Sequence, residues 1–346
     1  APFDVDWPSL GIGQANSQGI VTINDHILAY ERSAARDIMG YATVPVTEVW
    51  NRFEWLARPY ALAGLIAGFL MAYLAHRLAV SRASLPTLLR AGIARGEIFV
   101  MYQPIVDLES GRWVGAEALA RWQRRSGELV PPDIFIPIAE RHDLIGAITA
   151  IVTRTALADF GKLTSQGLFI SINVSPIDLR TASFAQLLDT ACAEEGVDPG
   201  MVHLEVTERQ DASEPVTAQA AAELRRRGFK VGLDDFGIGY SNLAYLDTLP
   251  LDYIKVDRTF VASAGGRGAG GEILDHIIDL ARARRLDVIA EGVETEAQRS
   301  GLLVRGVGHG QGWLFGRPMT MADFVTTRRK QPPASAPRSA RADAAA

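Results

Sequence analysis

The sequence predicts an α/β fold: a modified TIM (β/α)8 barrel whose first strand runs antiparallel, preceded by a transmembrane helix. Three observations carry this reading. The 18 positions from Pro59 to His76 hold no formal charge and are mostly Ala, Leu, Gly, Ile, Phe, Met and Tyr. From Phe99 onward, eight short β-rich runs alternate with helical patterns over about 230 residues, the arrangement that builds a parallel barrel. Only Leu108–Arg112 separates the first two runs, too short for a crossover helix, so that pair reads as an antiparallel hairpin.

Taken in order, residues 1–56 mix short apolar runs with Gly, Asn and Ser and carry no recognisable site. They read as the end of an extracytoplasmic sensor domain, and a chain that begins at Ala1 without a methionine reads as a fragment or a mature form. Residues 57–78 read as the transmembrane helix. Its uncharged stretch, at about 1.5 Å per residue, nearly crosses a hydrocarbon core of about 30 Å. Trp55, Tyr60 and Tyr73 lie near the ends, where interfacial aromatics sit. Ala61, Gly64, Ala67 and Gly68 would let a second helix approach closely. Arg77, Arg82, Arg90 and Arg95 follow the span before any acidic residue, whereas Glu54 lies close to Arg52 and Arg58 on the other side. The positive-inside rule then places the C-terminal side in the cytoplasm and the N-terminal segment in the periplasm of a bacterial inner membrane.

Residues 79–327 read as the barrel, entered by a helix over 81–97. Strands are predicted at 99–106, 113–119, 168–173, 202–206, 230–233, 253–256, 287–290 and 308–314. Helices are predicted at 133–165, 183–195, 214–228, 241–248, 271–285 and 295–305. The Pro/Ala-rich residues 328–346 read as a disordered tail.

Composition narrows the function. Apolar residues at 48% and charged residues at 22% favour a packed core over disorder. A net charge of −5, with both signs spread along the chain, argues against a basic DNA- or RNA-binding stripe. The single cysteine, Cys192, excludes an intrachain disulfide and reads as a small core residue. Four Lys against 31 Arg mark each remaining Lys as a position where Lys itself is needed, Lys255 among them. The glycine-rich Ala264–Gly271 lacks the Lys-Ser/Thr ending of a phosphate loop and reads as a flexible surface loop.

Active-site residues of such barrels stand at the C-terminal ends of the strands. Seven of the eight runs place a carboxylate, amide or amine there: Glu117, Asn173, Glu205, Asp234 with Asp235, Lys255, Glu291 and Gln311. Each acidic residue alone reads as a cap or turn. Five carboxylates at one rim would repel and protonate unless cations sat among them. Carboxylate and amide oxygens suit Mg²⁺ and Mn²⁺, and no His or Cys cluster suggests zinc. Asp234–Asp235 is the natural bridge between two ions, the arrangement that clamps attacking and leaving oxygens in phosphodiester cleavage. No Ser-His-Asp or Cys-His arrangement is present.

Eight ordered blocks over residues 85–327 resemble the EAL phosphodiesterases: Tyr102–Leu108, Glu117–Arg121, Ser171–Ser175, Leu204–Glu208, Asp234–Ser241, Tyr253–Asp257, Ala290–Thr295 and Gly310–Phe315. Two positions depart from the usual pattern, Trp313 and Ile238. The resemblance implies a cyclic-guanylate-specific phosphodiesterase that converts cyclic di-GMP to linear pGpG with two Mg²⁺ or Mn²⁺ ions, in response to a membrane or periplasmic signal. An inactive cyclic di-GMP receptor on the same fold is the alternative. It further implies that Glu117, Asn173, Glu205 and Asp234 hold one metal, and that Asp234, Asp235 and Glu291 hold the second. Lys255 is implied to act on the attacking water, with Glu117 and Glu291 completing the catalytic set. Gln103, Arg121 and Gln311 are implied to contact substrate, Glu208 to steady the Asp234–Ser241 loop, and the barrel to form a homodimer.

Overall fold

The structure, a computed structural model, describes residues 18–33, 38–206, 215–237, 242–265 and 269–331. It divides into two compact units, Ala1–Ala83 and Ser84–Ala346.

In the first unit, β1 (Gln18–Ile23), β2 (His26–Ser33) and β3 (Ile38–Pro45) form an antiparallel sheet in that order. Ile23 pairs with His26 across a turn whose Asn24 and Asp25 have φ of 43° and 60°. Asn and Asp tolerate this left-handed region, and turns of this hand match the twist of paired strands. Among the described residues of this sheet only Leu28 and Tyr30 are buried, too sparse a pattern for strands to stand out in the sequence. The helix α1 (Val46–Ala94) follows, 49 residues long. Over Val46–Leu78 it is long and apolar enough to cross a membrane, and its most apolar window is not buried. Leu62, Leu65, Phe69 and Met71 each expose more than half their surface. The helix expected over 81–97 is not separate: α1 continues through it to Ala94.

In the second unit, Leu85, Leu88 and Leu89 at the end of α1 join the barrel's hydrophobic core. The antiparallel hairpin β4 (Ile98–Asp107) and β5 (Trp113–Gln123) comes next, its turn closed by Asp107 N–H donating to Arg112 O at 2.9 Å. A short return, β6 (Leu129–Val130), pairs with β5 and leads into α2 (Pro132–Arg141) and α3 (Ile145–Thr164). The single helix expected over 133–165 is therefore two. The chain leaves helical geometry at His142, and Asp143 takes φ 56°, a conformation Asp accepts better than most residues. The alternation continues as β7 (Phe169–Val174), α4 (Pro176–Leu179), α5 (Ala182–Glu195), β8 (Val202–Val206), α6 (Pro215–Arg226) and β9 (Lys230–Phe236). It ends with α7 (Asn242–Thr248), β10 (Tyr253–Val256), α8 (Arg258–Val261), α9 (Ala269–Ala283), β11 (Asp287–Ala290), α10 (Glu296–Val304), β12 (His309–Gln311) and α11 (Met321–Arg328).

The strands run β4-β12-β11-β10-β9-β8-β7-β5, and pairing of β4 with β5 closes an eight-stranded barrel. β4 is antiparallel to both its neighbours, β5 and β12, as expected. Successive strand residues face opposite sides. Outward-facing Ile170, Ile172, Leu204, Val231, Leu233, Ile254 and Val256 are fully buried under the helices. Inward-facing residues divide by height. Ile105, Tyr253 and Ile289, with Val114 and Phe169, form a separate apolar cluster inside the barrel. Toward the strands' C-terminal ends the inward positions become polar: Asn173, Glu205, Asp234 and Lys255.

Tyr102 ties the hairpin to the helical shell. It is fully buried on β4, donates to Asp159 Oδ2 of α3 at 2.5 Å, and packs against Phe160 and Phe324. Tyr102→Phe is expected to lower the unfolding free energy by about 1.5–3 kcal/mol, the usual effect of losing a hydrogen bond to a charged group. Urea denaturation measures it, and an unchanged midpoint would show that the hydroxyl contributes nothing.

Candidate active site

Four carboxylates, three on strands and one just after β11, converge on one lysine. Lys255 of β10 is 1% exposed, and its Nζ lies 3.2 Å from Glu117 Oε2, 2.9 Å from Glu205 Oε2, 3.1 Å from Asp234 Oδ1 and 2.5 Å from Glu291 Oε1. An ammonium has three N–H donors, so four carboxylates cannot all be hydrogen-bonded to it. Asp234 Oδ1 is accordingly buried without a hydrogen bond, held by charge alone. Glu117 is fixed from its other sides: Asn173 Nδ2 donates to its Oε1 at 2.6 Å and Gln311 Nε2 to its Oε2 at 2.7 Å. The structure thus brings together Glu117, Asn173, Glu205, Asp234, Lys255, Glu291 and Gln311.

Asp235 reaches the same place through a backbone irregularity. Adjacent strand residues normally point to opposite faces, which would turn Asp235 away from the rim. Ile254 pairs with Leu233, but Val256 pairs with Phe236, so β9 carries one extra residue at Asp234–Asp235. This bulge, with Asp235 at φ 53°, re-aims the second carboxylate. Asp234, Asp235 and Glu291 each bring one oxygen within 4.8 Å of the others. Glu291 follows β11, its N–H donating to Val256 O at 3.0 Å. Gly292 comes next at φ 64°, where a Cβ would lie 2.3 Å from Arg258 Cβ; only glycine lets the chain turn there.

The electrostatics follow from burial and imbalance. One ammonium faces four carboxylates, and with all four ionised three negative charges would be uncompensated. Burial pushes Glu205 up to about 8, reinforced by Glu117 and Asp234 and only partly offset by Lys255. Burial likewise raises Glu291 well above the carboxylate range. Glu117 moves the other way: burial opposes its charge, but Lys255 and the Gln311 and Asn173 donors hold it low. Burial alone would lower Lys255, yet Asp234, Glu117, Glu205 and Glu291 hold it well above the lysine range. In the metal-free protein the lysine is therefore held as a cation.

A pH dependence follows. Between the ordinary glutamate range and about 8, the folded metal-free protein holds a proton on Glu205 that the unfolded chain releases. Stability in EDTA should therefore be full below that window and fall as pH rises through it. Thermal unfolding at about pH 6 and about pH 9 checks the sign, and a higher Tm at the alkaline end would contradict it.

Beside the cluster opens a cleft of about 240 Å³ whose walls include Glu117, Arg121, Asp133, Asn173, Asp234 and Asp235. Arg121, half-buried, is the guanidinium facing it, with Nη1 donating to Ala120 O at 2.8 Å. Gln103 and Gln311 form an amide chain: Gln103 Nε2 donates to Gly316 O at 3.2 Å, and Gln311 Nε2 donates to Gln103 Oε1 at 3.0 Å as well as to Glu117. Trp313 is 58% exposed, with the Arg317 guanidinium stacked 4.5 Å from its ring centroid. Glu208 and residues 238–241, including Ile238, lie outside the described residues. Sequence reasoning missed Ser171 and Tyr253, both buried, whose hydroxyls contact Glu205 Oε1 at 2.5 and 3.3 Å. The signal available was strand alternation: each stands two residues before a residue already singled out, Asn173 and Lys255, on the same face.

The donor set fits hard divalent cations. It consists of carboxylates and an amide, with no thiolate or imidazole, and Asp234 Oδ1 has a buried lone pair with no hydrogen atom directed at it.

Fold and site together define an α/β-barrel protein with an acidic centre at the C-terminal rim of its strands. The EAL domain family model matches residues 87–318, and the chain belongs to that family. It is 36% identical over 280 residues to "Probable cyclic di-GMP phosphodiesterase PdeB" of Escherichia coli, covering 80% of this chain and 52% of that protein. It is 39% identical over 252 residues to the uncharacterized protein Rv1354c of Mycobacterium tuberculosis, covering 70% of this chain and 40% of that one. The chain thus spans 52% or less of the length of these curated relatives. Among solved structures, the EAL enzyme Bd1971 with cAMP and cyclic-di-GMP bound aligns with a TM-score of 0.69 at 27% identity, covering 84% of this chain and 81% of that one. The PaMucR phosphodiesterase in complex with c-di-GMP aligns with a TM-score of 0.64 at 32% identity, covering 70% and 99%.

Proposed function

We propose that this chain is a cyclic-guanylate-specific phosphodiesterase that hydrolyses cyclic di-GMP to linear pGpG using two divalent ions, Mg²⁺ or Mn²⁺. The observation that carries the reading is the convergence of Glu117, Glu205, Asp234 and Glu291 on a single buried lysine, which leaves three negative charges over once all four are ionised, as ligation of metal requires. Two divalent ions supply four positive charges, enough for those three and Asp235. Glu117, Asn173, Glu205 and Asp234 would hold one ion, and Asp234, Asp235 and Glu291 the other. Bound there, such ions supply Lewis-acid polarisation of a phosphoryl oxygen and activation of water.

The chain's own residues do the rest. Lys255 is a fixed cation and donor at the centre, suited to orienting water and to stabilising charge that develops on phosphoryl oxygens. Arg121 presents a planar fork of donors to a phosphate in the cleft. Gln311 and Gln103 hold Glu117 in one orientation and stand where substrate would meet them. Relatives named as probable cyclic di-GMP phosphodiesterases, and the c-di-GMP complex of PaMucR, support the choice of substrate.

The same reading places residues 1–56 in the periplasm, residues 57–78 in the inner membrane and the barrel at 79–327 in the cytoplasm; the tail expected from 328 begins within α11, which runs to Arg328, and residues 332–346 lie outside the described residues. The barrel dimerises, Glu208 steadies the Asp234–Ser241 loop, and a membrane or periplasmic signal sets the rate. α1 supports the membrane assignment by length and composition. Chromatography of cyclic di-GMP and other cyclic or linear dinucleotides, incubated with the purified chain and Mn²⁺, tests the reaction. Selective formation of pGpG is expected; tight binding of cyclic di-GMP without turnover would instead make the chain a receptor.

A further inference from the structure

Glu205 differs from the other carboxylates of the centre in how its far oxygen is held. Its Oε2 faces Lys255, while Oε1 points down the barrel axis and accepts from two hydroxyls: Ser171 Oγ at 2.5 Å and Tyr253 Oη at 3.3 Å. The two hydroxyl oxygens are themselves 3.3 Å apart. Ser171 and Glu205 are wholly buried and Tyr253 nearly so.

The barrel interior is shaped to put the phenol there. Tyr253 stands beside Gly232 of β9, where a Cβ would lie 2.3 Å from Tyr253 Cζ. On the opposite side, Gly115 of β5 gives way to the Phe169 ring, which a Cβ would approach to 2.6 Å. Phe169 stacks on His203 at 4.0 Å between centroids, and His203 packs against Tyr253 at 5.3 Å. Glycine inside a strand weakens it, so two glycines paired in register with Tyr253 and Phe169 mark rings that lie against the neighbouring strand's backbone. The rings floor the polar centre and fix the Tyr253 hydroxyl beneath Glu205.

We infer that Ser171 and Tyr253 are positioning residues for the metal centre: by occupying Glu205 Oε1 they restrict this carboxylate to binding a metal through Oε2 alone. This rests on the reading of Glu205 as a metal ligand. Fixed carboxylate ligands bind metal more tightly than free ones, because the orientation is already set when the ion arrives; hydrogen bonds to a ligand are typically worth about 10–100-fold in metal affinity.

The test uses the full chain and Mn²⁺ alone, with bound and free ion distinguished by EPR and folding checked by circular dichroism in EDTA. Tyr253→Phe and Ser171→Ala are each expected to weaken Mn²⁺ binding by about tenfold or more. Glu205→Gln separates the two layers of the inference. If Glu205→Gln binds Mn²⁺ like the wild type, the ligand reading of Glu205 fails. If Glu205→Gln loses the ion while Tyr253→Phe and Ser171→Ala, both folded, keep wild-type affinity, the positioning role alone is overturned. If Ser171→Ala fails to fold, Tyr253→Phe, which removes only the hydroxyl, decides the matter.

Discussion

Lys255→Met is expected to reduce turnover of cyclic di-GMP by about a thousandfold or more, equivalent to about 4 kcal/mol of transition-state stabilisation, while the protein still binds divalent metal. Methionine fills nearly the volume of the buried lysine stem, so the loss isolates the charge. Lys255 is the one cation contacting Glu117, Glu205, Asp234 and Glu291 among the described residues. Without it the metal-free cluster must take up more protons, since like carboxylates at close range cannot all stay ionised. An entering ion then meets no competing ammonium, so Mn²⁺ affinity at about pH 8 should hold or rise. Steady-state rates and Mn²⁺ binding on the same preparation give the split. Substantial activity in Lys255→Met, or loss of metal along with activity, would show that the lysine serves a different purpose.

Glu117→Gln is expected to lose both. The substitution keeps the shape of the side chain but turns one oxygen into an N–H₂ donor. That donor would face Lys255 or the donated amides of Asn173 and Gln311, which now approach Glu117 at 2.6 and 2.7 Å. A ligand oxygen disappears and the surrounding donors lose their acceptor. Turnover should fall by about a thousandfold, and metal binding with it, because the ion contributes several kcal/mol to the reaction. The contrast with Lys255→Met is the informative part: one variant loses chemistry with metal retained, the other loses chemistry through the metal. If Glu117→Gln bound Mn²⁺ like the wild type, Glu117 would not be a ligand.

Strand alternation with period two was the legible part of both fold and site. Runs such as Phe169–Val174 and Tyr253–Val256 place apolar residues outward beneath helices and polar ones inward at the rim. The closing hairpin was readable because five residues cannot cross over. The break between α2 and α3 was not, because the turn at His142–Asp143 uses an Asp at positive φ where Gly or Pro would have announced it. The amino-terminal sheet was missed because its strands bury few side chains. At the site, the carboxylates were visible one by one, but two features were not. The bulge that turns Asp235 toward Glu291 breaks the alternation that sequence reasoning relies on. The central placement of Lys255 depends on barrel closure, which brings β5, β8, β9 and the end of β11 around β10.

Titrating metal-stripped full chain with Mn²⁺, and following bound ion and pGpG formation in the same samples, bears most directly on the acidic centre as the hydrolytic site. Hydrolysis absent in EDTA, rising as two ions fill per chain, is the expected result. Undiminished hydrolysis in EDTA, or two bound ions with cyclic di-GMP left intact, would contradict it.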